Sequence, residues 1–207
     1  MDIENCIVYD VEIANTVKST AGGWSNPEGM GFGSAVAYEY ATDRYHFFLH
    51  DSGKDRLIEL LNDKTAITFN GIKFDSKVLL GNDRLVHLRT GKTYTDKTFW
   101  DNYDILLEYI CSRYSCTYIS QSLQLLDGAK ILDGSFNLNA LCKATIGIGK
   151  TGHGKDAPSL YTEGKYDELL DYNFNDVRIT KVLFDHILKY MYVIDKKNRV
   201  VRLKKRW

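Results

Sequence analysis

The stretch IVYDVEIA restricts the fold most: an apolar run from Cys6 to Tyr9 leads straight into Asp10 and Glu12. Side chains two apart on a strand share a face, so both carboxylates point the same way and can bind one cation. Two further blocks carry chemistry, Asp75 in FNGIKFD and Tyr172 with Asp176 in DYNFNDVRIT. Tyr172 and Asp176 are four apart in an amphipathic pattern, which puts them one helical turn apart on one face. Divalent cations take oxygen ligands, so Asp10 and Glu12 can share one and Asp176, with the Tyr172 phenol beside it, is a further candidate ligand.

Strand one spans Cys6 to Ile13, and Asn15 to Gly33, with five glycines and Pro27, reads as a long loop. Ser34 to Tyr40 and Arg44 to His50 are β-rich runs joined by the polar turn Ala41-Thr42-Asp43, a hairpin that extends the sheet begun by strand one. Helical periodicity follows over Lys54 to Asn62, then a short strand from Thr65 to Phe69. Asn70-Gly71 breaks that strand before a helix carrying Phe74, Asp75, Val78 and Leu79. A β-poor polar segment comes next, and Trp100 to Cys111 and Leu138 to Thr145 read as helices. The last helix runs from Tyr166 to Tyr190, and Met191 to Ile194 with Arg199 to Leu203 read as a closing hairpin. At 207 residues and 44% hydrophobic, the chain suits one sizeable α/β core. The expected division is residues 1–190 as the main domain, with 191–207 as a basic hairpin or tail of the same domain. The four cysteines show no metal-ligand spacing and read as reduced core thiols. No apolar run reaches the ~18 residues of a membrane span, and Met1-Asp2-Ile3-Glu4 lacks a leader pattern. A soluble, cytoplasmic protein without a membrane partner is expected.

In order and spacing the three blocks resemble the D-x-E, N-x-x-x-F-D and Y-x-x-x-D signatures of the DEDD superfamily of 3′–5′ exonucleases, in its tyrosine-bearing subgroup. Each block is short, but three in order are hard to obtain by chance, and the resemblance runs from about Ile7 to Leu188. The chain looks closest to stand-alone relatives of the proofreading domain of family B DNA polymerases, including domains attached to some helicases. FNLNALCKATIGIGKTGHGKDAPSLY adds to this similarity. The resemblance implies an α/β, ribonuclease-H-like mixed sheet, three antiparallel-leaning strands plus parallel strands, flanked by helices. It also implies single-stranded DNA or RNA 3′ ends as substrate, DNA favoured, two Mg²⁺ or Mn²⁺ ions, and a helicase or polymerase as an associated partner.

Phosphodiester cleavage builds negative charge on the phosphate oxygens and needs a better nucleophile than neutral water, and two divalent ions ~3.5–4 Å apart answer both needs. On this reading Asp10 bridges both ions, Glu12 and Asp176 complete one site, and Asp75 anchors the second largely through water. Tyr172 orients the attacking water; the position that carries histidine in the sister subgroup is Asp171. Two other classes stay open: a catalytically silent nucleic-acid-binding module of the same fold, and a ribonuclease-H-like endonuclease.

Around these five residues the readings divide. Asn70 serves the turn and, by the resemblance, the terminal nucleotide; Phe74 is core or a wedge beside the terminal base. Asp104, in YDILLEY, is a cap or a support for the ligands. Gly147-Ile-Gly-Lys-Thr151 is not a phosphate-binding P-loop, because Ala144 stands where glycine is required and a helix precedes it. Lys150 and Lys155 on this loop, beside His153, contact phosphates or are simply solvated. Trp24 and Phe32 stack bases or pin the glycine-rich loop to the core. Lysines and arginines number 27 against 27 acids, so no global basic field advertises nucleic acid. The local exception is the C-terminus, where seven of the last twelve residues are Lys or Arg. That tail tracks phosphates or is an edge hairpin protected by charge.

Overall fold

The computed structural model describes residues 1–81, 86–87, 92–94, 99–117, 119–127, 136–150 and 156–204. β1 (Cys6–Ile13) is buried along nearly its whole length. It pairs antiparallel with β2 (Phe32–Glu39), which pairs antiparallel with β3 (Arg44–Leu49). On its other side β1 runs parallel to β4 (Thr65–Thr68), and β4 runs parallel to β7 (Phe99–Asp104). A small antiparallel extension, β6 (Lys92–Tyr94) and β5 (Val86–His87), continues the sheet beyond β7 in the order β3-β2-β1-β4-β7-β6-β5. The fold is therefore the ribonuclease-H-like mixed sheet, antiparallel on one side of β1 and parallel on the other.

Alternation along β1 sorts the layers. Ile7, Tyr9, Val11 and Ile13 face α1 (His50–Leu61) and α2 (Asp75–Leu80), packing with Leu57, Leu61, Val78 and Leu79. Cys6 and Val8 face the opposite cluster with Tyr109 and Ile110 of α3 (Ile105–Arg113), Leu141 of α5 (Leu138–Ile146) and Val177, Leu183 and Phe184 of α7 (Tyr166–Tyr190). Asp10 and Glu12 continue the Cys6–Val8 face, so the strand's own period aims them at α7. The remaining helices are α4 (Ile119–Asp127) and α6 (Ala157–Thr162).

Two expectations need correction. Trp100 to Asp104 is strand β7, not the start of a helix, and α3 begins only at Ile105. The aromatic, alternating FWDNYD suits a pleated surface, but it runs into ILLEYIC without a Gly or Pro to mark the border. The segment expected to be β-poor carries β5 and β6. Smaller shifts are that β2 starts at Phe32 and that α1 begins at His50 rather than Lys54. Over the glycine-rich segment, short 3-10 turns at Gly23–Ser25 and Glu28–Met30 interrupt the loop. The closing hairpin, β8 (Tyr192–Ile194) with β9 (Val200–Arg202), sets Val193, Val201 and Leu203 into the α7 cluster. Lys205 and Arg206 of the basic tail lie outside the described residues. All four cysteines are buried free thiols. Among the described residues no helix is long and apolar enough to cross a membrane.

Candidate active site

α7 forms because its apolar residues recur at helical spacing: Leu169, Val177, Leu183 and Ile187 are buried, and Tyr172 and Asp176 fall on the same stripe. Packing that stripe on the Cys6–Val8 face of β1 brings Asp176 to the two strand acids. One carboxylate oxygen from each of Asp10, Glu12 and Asp176 lies within 4.8 Å of the others. Asp75 stands beside this trio as the strongest charged neighbour of Asp10. The backbone N–H of Val11 donates to Asp75 Oδ1 at 2.8 Å, which ties the first turn of α2 to β1.

The approach to Asp75 is set by a tight turn. Asn70 has φ +71, a left-handed conformation that Asn tolerates better than most residues. Gly71 has no room for a side chain, since a Cβ there would come within 2.5 Å of Thr68. The turn's amides are collected by Asp104, which accepts from Asn70 N at 2.9 Å and Ile72 N at 3.1 Å. The same carboxylate caps α3, accepting from Leu106 N at 3.1 Å and Leu107 N at 3.3 Å. Asp104 is thus a clamp between the turn and α3.

Two residues near the acids carry no motif signal of this role. Asn173, fully buried on α7, donates from Nδ2 to Asp10 Oδ2 at 2.8 Å. It holds one oxygen of Asp10, and the helical pattern alone marks it only as buried. Lys150 is the other. Asn139 of α5 accepts from its backbone N–H at 3.0 Å, and the side chain turns into the site, where the ammonium pairs with Asp176 Oδ2 and donates to the Tyr172 hydroxyl at 3.2 Å. Lys155 and His153 lie outside the described residues.

Electrostatics in this cluster are strained in the way a cation would relieve. Burial pushes Asp10 well above the usual carboxylate range, and the charges of Asp75, Glu12 and Asp176 push it further. Glu12 is raised by burial and then by Asp176. Burial lifts Asp75 to about 7 although the Val11 amide opposes it, and burial raises Asp176 against the ammonium of Lys150. Burial works against the charge of Lys150, but Asp176 and Asp10 outweigh it and hold the ammonium above its ordinary range. The Tyr172 phenol is raised by burial and then by Glu12 and Asp176. Asp176 Oδ1 is buried without a hydrogen-bond partner among the described residues. Buried carboxylates in such numbers need paired charge, and three converging oxygens with one orphaned lone-pair set fit a hard divalent cation.

The acids, Tyr172 and Lys150 line a cleft of about 830 Å³, together with Asn70, Phe74 and an apolar wall that includes Trp24, Phe69 and Phe136. The side-chain oxygen of Asn70 is buried there without a partner among the described residues. Phe74 is half-buried, packed at the margin of the α1–α2 cluster and open to the cleft.

Comparison with known proteins assigns a family. The model of a family described as a predicted 3′–5′ exonuclease related to the exonuclease domain of PolB matches residues 55–203. That span takes in Asp75, Lys150, Tyr172 and Asp176. Asp10 and Glu12 precede it and join the site through the pairing of β1 with β4 and its packing on α7. Among curated proteins, none matches this chain. Covering most of the sequence, the match places the chain in the family of predicted 3′–5′ exonucleases related to the exonuclease domain of PolB.

Proposed function

We propose that this protein is a tyrosine-type DEDD exonuclease that hydrolyses single-stranded nucleic acid, DNA in preference to RNA, from the 3′ end and releases nucleoside 5′-monophosphates. The carrying observation is the convergence of Asp10, Glu12 and Asp176 oxygens within 4.8 Å, beside Asp75 and the Tyr172–Lys150 pair. Asp10, Glu12 and Asp176 would hold one Mg²⁺ or Mn²⁺ ion, and Asp75 with Asp10 a second. Bound there, divalent ions supply a water nucleophile at neutral pH and offset charge on the phosphate.

The chain's own groups do the rest. Asn173 keeps one Asp10 oxygen occupied and so fixes the carboxylate's orientation. The Tyr172 hydroxyl, kept neutral by burial, orients the attacking water by hydrogen bonding and does not act as a base. Lys150 places a fixed positive charge at the Tyr172–Asp176 corner, where it can meet a nonbridging phosphate oxygen. Asn70 and Phe74, which line the cleft, would face the nucleotide from the other wall.

Matched 5′-labelled DNA and RNA oligomers, with and without Mg²⁺ or Mn²⁺, test this. A descending ladder that needs metal, with a 3′-phosphorylated or circular strand left largely intact, is the expected result. Efficient cutting of circles would reassign the site to an endonuclease, and binding without cleavage would make it a silent module. Asp10→Ala, folded by circular dichroism, should lose ~10³-fold or more, since each ~1.36 kcal/mol of lost transition-state stabilisation is tenfold. Retention of a tenth of the activity would remove Asp10 from the metal site.

A further inference from the structure

The glycine-rich stretch Asn15 to Gly33 holds two aromatic residues that sequence cannot tell apart, and the structure separates them: Trp24 lies in the loop after β1 and Phe32 opens β2. Phe32 is 4% exposed and packs with Met30 under the sheet. Trp24 is 70% exposed. An indole left in water forgoes a large apolar gain, so an ordered loop that keeps it outside asks what covers it.

This loop is ordered from within. Ser25 Oγ donates to the Gly22 carbonyl at 2.6 Å, Asn26 Nδ2 to the Ala21 carbonyl at 2.8 Å, and Gly29 N to Asn26 Oδ1 at 3.0 Å. Gly22 and Gly23, at φ +86 and +52, make the turn immediately before Trp24. The indole therefore stands on a prepared support. Its ring centre lies 6.0 Å from that of Phe74, tilted by 54°, and both rings line the cleft that holds the acids. Phe74 directly precedes Asp75, so the two rings form a bent apolar wall leading up to the carboxylates.

We propose that Trp24 is a nucleobase-stacking platform that takes the base of one of the last two nucleotides of a single strand, with Phe74 continuing its surface toward the acids. The inference rests on the nuclease reading of the same cleft. A base suits it because every base offers a flat π-face, and stacking on an aromatic side chain tolerates any sequence. The charge balance points the same way. Stacking supplies affinity that does not depend on charge, which suits a chain whose 27 basic residues are matched by 27 acidic ones and whose local basic excess is at the C-terminus.

Trp24→Ala and Trp24→Phe test this on 5′-labelled oligomers that are intact or carry one abasic site at the terminal or penultimate nucleotide. Binding is followed by anisotropy with Ca²⁺ in place of Mg²⁺, and turnover with Mg²⁺. Trp24→Ala should fold normally, raise Kd and KM about tenfold on the intact oligomer and leave kcat nearly unchanged, while Trp24→Phe keeps most of the affinity. On one of the two abasic oligomers the wild type should weaken by a similar factor and Trp24→Ala should weaken no further. If the wild type degrades the intact strand while Trp24→Ala matches it in KM, or keeps its full penalty on both abasic oligomers, the platform is wrong and the nuclease reading stands. If the wild type neither binds nor degrades any strand, both fall together.

Discussion

Tyr172 and Asn173 are neighbours on α7 that act on different atoms, and the difference is measurable. Tyr172 shares Lys150 with Asp176 and offers a hydroxyl, not a ligand charge. Tyr172→Phe should therefore slow turnover and leave Mn²⁺ affinity nearly unchanged in titration calorimetry, whereas Asp176→Ala should weaken both. Equal loss of metal binding in the two variants would defeat the orienting role of the phenol. Asn173 does the reverse, since the hydrogen bond of its amide goes to Asp10, a candidate metal ligand. Partners that orient a ligand typically cost ~10–100-fold in metal affinity or activity when removed. Asn173→Ala should lower Mn²⁺ affinity in that range with circular dichroism unchanged, and unaltered affinity would leave the bond to Asp10 without a role. Sequence periodicity made the Tyr172–Asp176 juxtaposition legible, because both lie on one helical stripe. Asn173 and Lys150 were not legible in these roles. The first needs the docking of α7 on β1, and the second needs Asn139 to hold a loop backbone across from α5.

At the scale of elements, β7 and α3 meet at one carboxylate. Asp104 accepts four backbone amides, two from the Asn70–Ile72 turn and two from the first turn of α3. Leaving buried donors without an acceptor costs ~1–3 kcal/mol each, and less than additively here because the donors relax together. Asp104→Ala should destabilise the protein by ~3 kcal/mol or more in urea unfolding. Asp104→Asn should cost less, since an amide oxygen can still serve Asn70, Leu106 and Leu107. Equal losses in Ala and Asn would show that the clamp geometry carries no stability. The strand–helix border at Asp104 also explains where sequence reading failed. β1, the β2–β3 hairpin and α7 announce themselves by local period, whereas FWDNYD flows into ILLEYIC with no breaking residue. What ends the strand is an acid whose partners lie ~30 positions earlier along the chain. The closing hairpin was legible as a hairpin but not as part of the core. Val193 and Val201 become core residues because α5 and α7 pack on β8 and α3 packs on β9.

Across the whole molecule, the site and the fold compete through charge. Burial pushes Asp75 up to about 7 and Asp104 up to about 6, against ~3.9 for a free aspartate. Asp10 and Glu12 are raised as well. A group whose folded pKa exceeds its unfolded one binds more protons in the folded state. Its stabilising effect is complete below the unfolded value and is lost as pH rises through the folded value. Between about pH 4 and 7 the metal-free protein should therefore lose stability with rising pH. His186 pulls the other way, because burial lowers its pKa and its contribution fades as pH falls. Glu39, held low by its Thr42 hydrogen bond, and Asp195, held low by Arg199 against burial, act in the same sense as His186 but at the acid end of the range. Above it the five raised acids, Asp10, Glu12, Asp75, Asp104 and Asp176, set the sign of the net slope. A divalent ion binds the ionised carboxylates of the folded state only, and adds RT ln(1 + [L]/Kd) to its stability. The expected pattern is a Tm in EDTA that falls from pH 5 to pH 8, a flatter Tm with saturating Mn²⁺, and a gap between the two that widens with pH. Asp75→Asn isolates the acids from His186: it should lessen the fall in EDTA and narrow the gap at pH 8. A Tm gap independent of pH, or an unchanged slope in Asp75→Asn, would mean that the buried carboxylates are not the groups that couple metal binding to the stability of the fold.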